Sequence, residues 1–315
     1  MSLNHFYKKD IVSINDFSRD DLNRIFKYTD NFKLLDHSIK GELGKGRTLG
    51  YLFYEPSTRT RMSFESAMAS LGGSSIGIVD SKISSIEKGE SLADTIRIMD
   101  MYSDVIVLRH PFDGSSKFAA ELAENPIINA GSGSEEHPTQ AMLDLYTIFK
   151  EKGNIDGLVI GIVGDLKYGR TVYSLLYGLA KYDVNVYLIS PPSLAIRKES
   201  VYEIEKNLKL KEYNYLYDDV LKKLDILYVT RIQKERFPDI QEYEKVKGTY
   251  KVDSSVLEKS KIDISIMHPL PRVDEIDYRI DETKNAIYFK QARYGKELRA
   301  TLLTLILNEN PFNEE

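Results

Sequence analysis

The chain has 315 residues, 42% of them hydrophobic, which suits two domains of ordinary size with substantial cores. A net charge of −5 argues against bulk electrostatic capture of nucleic acid, so any anionic ligand must be held by a local cluster of donors. There is no cysteine, which excludes disulfides, thiolate metal sites and a cysteine nucleophile; residues 1–10 hold no apolar signal core and no apolar run approaches the roughly 18 residues of a membrane span, so a soluble cytoplasmic protein is expected.

Ser18, followed by Arg19, Asp20 and Asp21, reads as a capping-box start, and Leu22, Ile25 and Phe26 continue at helical spacing. After a polar, glycine-bearing loop near 41–46, strand-like runs at 48–54, 75–79, 105–108 and 127–129 alternate with helical ones. The helices follow Arg61, run through Leu92, Ile96 and Met99, and cover 118–123. A further helix opens at Pro138, a residue favoured at the first helical position, and carries Met142, Leu145, Tyr146 and Phe149. The polar stretch 83–90 reads as a loop. The pattern pauses at 151–156, the candidate domain junction. A second series follows: a strand at 158–163, a helix at 172–179, a strand at 186–189 and a helix near 201–208. Strand-like runs then cover 213–217, 224–229, 264–267 and 286–289. A last helix carries Leu298, Leu302, Leu305 and Ile306 and stops before Pro311. Two alternating series predict an α/β protein of two doubly wound domains, with mostly parallel central sheets and helices on both faces. Ligands of such sheets sit beyond the carboxyl ends of the strands.

The most informative segment is Ser57-Thr58-Arg59-Thr60-Arg61, which links the run 48–54 to a helix bearing Phe64, Ala67, Met68 and Leu71. Free N–H groups and the helix dipole favour an anion there, and two guanidinium groups with three hydroxyls match the oxygens of a phosphate. The alternative is a capped helix with a solvated basic edge, but one cap needs only one hydroxyl. Gly164-Asp165-Leu166-Lys167-Tyr168-Gly169-Arg170-Thr171 has P-loop spacing with arginine in place of lysine, and Leu166 and Tyr168 are bulky for such a loop. A nucleotide-binding kinase is thereby disfavoured; what remains is a strand-to-helix turn with Arg170 able to fork onto a carboxylate.

Four further segments end strands or loops. Arg109-His110-Pro111 closes the run 105–108, as a ligand contact or as an exposed edge arginine. His137-Pro138-Thr139-Gln140 opens a helix after the small-residue loop 131–134. A helix N-terminus disfavours imidazolium, so His137 reads as a neutral donor or simply as a cap. Thr230-Arg231-Ile232-Gln233 and His268-Pro269-Leu270-Pro271-Arg272 close two more runs, and the prolines of the latter stiffen a turn with outward carbonyls. There is no carboxylate pair suited to acid–base work, no metal-like spacing and no nucleophile elbow. Such a set holds anions and polarises a carbonyl without forming a covalent intermediate.

In order and spacing, Ser57–Arg61, Arg109–Pro111, His137–Gln140 and His268–Pro271 resemble the aspartate/ornithine carbamoyltransferase family over almost the whole chain. Pro269 stands where the ornithine branch carries cysteine, and Arg231-Ile232-Gln233 is similar to the aspartate branch. The resemblance implies a carbamoyl-phosphate domain over 1–150, completed by a returning C-terminal helix at 295–315, and an aspartate domain over 151–294. It implies transfer of the carbamoyl group from carbamoyl phosphate to the amine of L-aspartate, by direct attack, with no cofactor and no metal. By the same resemblance Ser57, Thr58, Arg59, Thr60 and Arg109 bind the phosphate, and Thr60, Arg109 and His137 face the carbonyl oxygen. Gln140 and the carbonyls of Leu270 and Pro271 hold the carbamoyl NH2. Arg170, Arg231 and Gln233 grip aspartate, and Glu55 orients the arginines. It further implies a homotrimer in which Ser84 and Lys88 reach the neighbouring chain's site; Glu87 departs from relatives that carry a second basic residue there. Segments 165–171 and 231–236 resemble members that assemble with a zinc-bearing regulatory chain, which would carry nucleotide feedback. A carbamoyltransferase for another amino acid and a non-catalytic phosphate-ligand scaffold are the alternatives.

Overall fold

A computed structural model of the chain describes residues 4–79, 89–133, 136–232 and 240–312. Two units are present, residues 1–143 with 294–315 and residues 144–293. The chain passes from one to the other inside helices, at 143/144 and 293/294.

The first unit opens with α1 (Arg19–Leu34), capped as its sequence predicts: Ser18 Oγ accepts from the Asp21 N–H, and the Asp21 carboxylate accepts from the Ser18 N–H. A short α2 (His37–Lys40) precedes β1 (Thr48–Phe53). Then come α3 (Thr58–Ser70), β2 (Ser74–Ile78), α4 (Leu92–Tyr102), β3 (Val105–His110), α5 (Ser115–Leu122), β4 (Ile127–Ser132) and α6 (Pro138–Lys152). All pairings in the sheet are parallel, in the order β2-β1-β3-β4. Val105 to Leu108 are fully buried, which is why β3 reads as an unbroken apolar run. The outer edge of β4 is covered by the N-terminal segment, where the Ile11 N–H donates to Ile127 O at 2.8 Å and Asn129 N–H to Ile11 O at 2.9 Å.

The second unit contains β5 (Val159–Val163), α7 (Arg170–Leu179), β6 (Asn185–Ile189), α8 (Lys198–Ile204), β7 (Lys209–Tyr213) and α9 (Asp218–Leu221). These are followed by β8 (Ile226–Val229), α10 (Ile240–Val246), α11 (Ser254–Lys259) and β9 (Ser265–Met267). Its sheet is also parallel, in the order β7-β6-β5-β8-β9. The last helix, α12 (Tyr288–Leu307), begins in this unit and ends in the first, as expected of the returning helix.

Two expectations need correction. The strand expected at 213–217 is β7, Lys209–Tyr213, displaced towards the N-terminus. It is an edge strand whose lysines face water, so its charges conceal it, while the exposed Tyr215 and Tyr217 beyond it imitate a strand. The strand expected at 286–289 is a single bridge from Ala286 to Ile266, and α12 starts at Tyr288.

In each sheet the order reverses direction once, between β1 and β3 and between β5 and β8. Connections leave these neighbours towards opposite edges, which opens a crevice at their carboxyl ends.

Candidate active site

The first crevice receives the turn after β1 and the end of β3, with Phe53 in register with Arg109. Ser57 precedes α3 but makes no side-chain capping bond, so its hydroxyl does not occupy the N–H groups of the first turn. Thr60 is nearly buried, whereas Thr58 and Arg59 are exposed. Arg61 faces along the helix to Glu65, 3.7 Å away.

Arg109 lies between two acceptors. Its Nη1 donates to Ala130 O at 3.1 Å, and its Nε is 3.5 Å from the Glu55 carboxylate. The pair is largely sheltered, so solvent screens it less than a surface ion pair. Beside it, His110 is buried against Tyr54 and Phe112, with ring centroids at 4.7 and 5.3 Å. The Phe112 N–H donates to His110 Nδ1 at 3.2 Å, so the proton of the neutral ring is on Nε2. Burial pushes the His110 pKa down, opposed by the Glu55 charge.

The adjacent strand β4 leads to His137, which is buried at the start of α6 and whose carbonyl accepts from the Gln140 N–H at 3.0 Å. Gln140 is nearly buried on the first turn. The preceding Glu136 anchors this loop: its carboxylate accepts from Ser13 Oγ at 2.6 Å and from the Ile14 N–H at 3.3 Å. Glu136 carried no sequence signal, because its partner lies 123 residues away.

In the second unit, Gly164 ends β5 at φ +118°, and a Cβ there would lie 2.3 Å from Thr230 O. Only glycine allows the turns after β5 and β8 to approach so closely. Asp165, fully buried, accepts from the N–H groups of Lys167 (3.1 Å) and Tyr168 (3.0 Å), shaping the loop that delivers Arg170 to the start of α7. Arg170 is nearly buried there, and Arg231 is half-buried just beyond β8. The neighbouring β9 ends in the turn His268–Arg272, in which Leu270 has φ +55° and Leu270–Pro271 is cis. Two guanidinium groups at one switch point suit a ligand with more than one carboxylate.

Ser84, Lys88, Glu87, Gln233 and part of the segment 231–236 lie outside the described residues. Among the described residues, no group of three or more His, Cys, Asp or Glu is placed to hold a metal ion, and no helix is long and apolar enough to cross a membrane.

Residues 9–150 match the family described as aspartate/ornithine carbamoyltransferase, carbamoyl-P binding domain, and residues 156–306 match its Asp/Orn binding domain. The chain is 64% identical over 310 residues to the aspartate carbamoyltransferase catalytic subunit of Nitrosopumilus maritimus, covering 98% of this chain and 100% of that one. Among solved structures it is similar to the catalytic subunit of M. jannaschii aspartate transcarbamoylase (49% identity, TM-score 0.88, covering 96% and 99% of the two chains). It is also similar to the Trypanosoma cruzi aspartate transcarbamoylase in complex with carbamoyl aspartate and phosphate (39% identity, TM-score 0.90, covering 96% and 97%).

Proposed function

The chain belongs to the aspartate/ornithine carbamoyltransferase family, and from that premise we propose which of its residues carry the reaction. The reaction transfers the carbamoyl group of carbamoyl phosphate to the amine of L-aspartate, giving N-carbamoyl-L-aspartate and phosphate. On this reading it is an early step of pyrimidine synthesis.

Ser57, Thr58, Arg59 and Thr60 bind the phosphate at the α3 N-terminus, with Arg109 completing the set. Thr60, Arg109 and His137 donate to the carbonyl oxygen, where charge grows as the aspartate amine attacks. One donor of this kind is worth about 3 to 4 kcal/mol in comparable oxyanion sites. Holding both reactants in attacking geometry supplies roughly 7 kcal/mol or more. Gln140 and the carbonyls of Leu270 and Pro271 accept from the carbamoyl NH2. Arg170, Arg231 and Gln233 receive the two carboxylates of aspartate. The departing phosphate takes the proton of the amine, so no protein base is required.

The observation that carries this reading is the convergence of the α3 N-terminus, Arg109 and the His137 loop at the carboxyl edge of one sheet, with Ser57 left uncommitted to capping. A colorimetric assay for carbamoyl aspartate tests it, with ornithine as the control acceptor. Product formed equally from ornithine would overturn the aspartate assignment.

The finer reading is a cytoplasmic homotrimer with shared sites, to which Ser84 and Lys88 of a neighbouring chain contribute, and which joins a zinc-bearing regulatory chain. Family membership and the likeness of 165–171 and 231–236 to such members support it. Measuring particle mass with and without an added regulatory chain tests the assembly.

A further inference from the structure

The turn after β9 is wound on one imidazole–carboxylate hydrogen bond. The Leu270 N–H donates to His268 Nδ1 at 2.7 Å, so that nitrogen is unprotonated and the ring proton lies on Nε2. Nε2 is 2.7 Å from Glu275 Oε1. The other oxygen, Oε2, accepts from the backbone N–H groups of Val273 (3.0 Å) and Asp274 (3.1 Å). Three backbone N–H groups of the turn, those of Leu270, Val273 and Asp274, are therefore gathered by one imidazole and one carboxylate, both buried. A second chain of bonds fixes the base of the turn: the His268 N–H donates to Gln291 Oε1 (2.9 Å), Gln291 Nε2 to Asp144 Oδ1 (2.7 Å), and Tyr228 OH to Asp144 Oδ2 (2.8 Å).

What this scaffold holds is unusual. Leu270 is at φ +55°, a left-handed conformation that a leucine seldom adopts and that persists only where its surroundings enforce it. The bond from its own N–H to His268 is the direct restraint. Released from it, Leu270 would relax to negative φ, and the peptide planes on either side would rotate.

We propose that Glu275, acting through His268, is a positioning residue for the transferred group: it aims the Leu270 and Pro271 carbonyls that select an amino substituent on the acyl phosphate. This rests on the reading that those carbonyls receive the carbamoyl NH2. Glu275 touches no substrate in this account, and the phosphate half of the ligand is independent of it.

The test compares affinities for carbamoyl phosphate, acetyl phosphate and inorganic phosphate by calorimetry on the full chain. Acetyl phosphate replaces NH2 with a methyl group and keeps the phosphate. The unaltered protein should prefer carbamoyl phosphate by about tenfold or more, since acetyl phosphate leaves the carbonyls unmatched. Glu275→Ala should bring that preference close to one while leaving affinity for inorganic phosphate unchanged. Glu275→Gln should fall between, because its amide oxygen can still accept from His268 while its NH2 cannot accept from Val273 and Asp274. If Glu275→Ala does not fold, judged by its melting curve, Glu275→Gln decides. A wild-type preference in the folded variants would overturn the proposal, as would a parallel loss of inorganic phosphate binding, the mark of a merely structural role. Equal affinity of the unaltered protein for the two acyl phosphates would instead overturn the carbonyl reading beneath it.

Discussion

Glu55 and Arg109 meet at 3.5 Å across the mouth of the first sheet, while the same guanidinium donates to Ala130 O. The carboxylate thus sets the direction of a donor assigned to both phosphate and carbonyl. Glu55→Gln keeps the shape and removes the charge. It should lower kcat/KM about tenfold, by the loss of an orienting charge pair, with little change in melting temperature. Unchanged kinetics would separate Glu55 from the site.

Arg59→Ala should reduce turnover by about a hundredfold to a thousandfold, the loss expected for a single charged donor at a developing anion. The side chain is exposed, so the fold should be retained, as circular dichroism and thermal melting would record. Near-normal activity would refute the phosphate clamp.

Mixing inactive Arg59→Ala chains with inactive Lys88→Ala chains should restore part of the activity. If the chain forms the trimer with shared sites proposed above, one interface of a hybrid joins an intact Arg59 to an intact neighbouring Lys88. Hybrids verified by mass and still inactive would argue against shared sites.

His110 predicts a pH dependence of stability. Its folded pKa lies below the ordinary 6.5 because burial penalises the charged ring, so the unfolded chain binds more protons in that range. Stability from this group is complete above pH 6.5 and is lost as pH falls from there towards the folded value. Glu275 acts lower: burial pushes its carboxyl up, but the His268 bond and the Val273 N–H outweigh burial and bring it below 4.5. Its contribution is present above pH 4.5 and is lost as pH falls through the folded value. Denaturant unfolding at stepped pH should show the upper slope shrinking in His110→Gln and the lower one in Glu275→Gln.

Tyr228 is fully buried and donates to Asp144, a carboxylate with no exposure of its own. Tyr228→Phe removes this buried hydrogen bond to a carboxylate and should cost about 1 to 3 kcal/mol of stability, read from chemical denaturation.

The sequence by itself determined the alternation of strands and helices, and it singled out the pentapeptide 57–61 and the motifs at five strand or loop ends as candidates for the site. Those features are local: each is written in the periodicity, capping or charge of a few adjacent residues. It also pointed to the reaction through the order of those motifs. The tertiary structure decided which neighbours support them. Glu136 reaches Ser13, Glu275 holds His268, and Asp144 holds Gln291, pairs joined by folding and marked by no spacing rule. It also turned Arg61 towards Glu65, and it moved an edge strand whose exposed lysines break the apolar pattern. Buried polar groups must find partners wherever the fold brings one, and that choice is made in three dimensions.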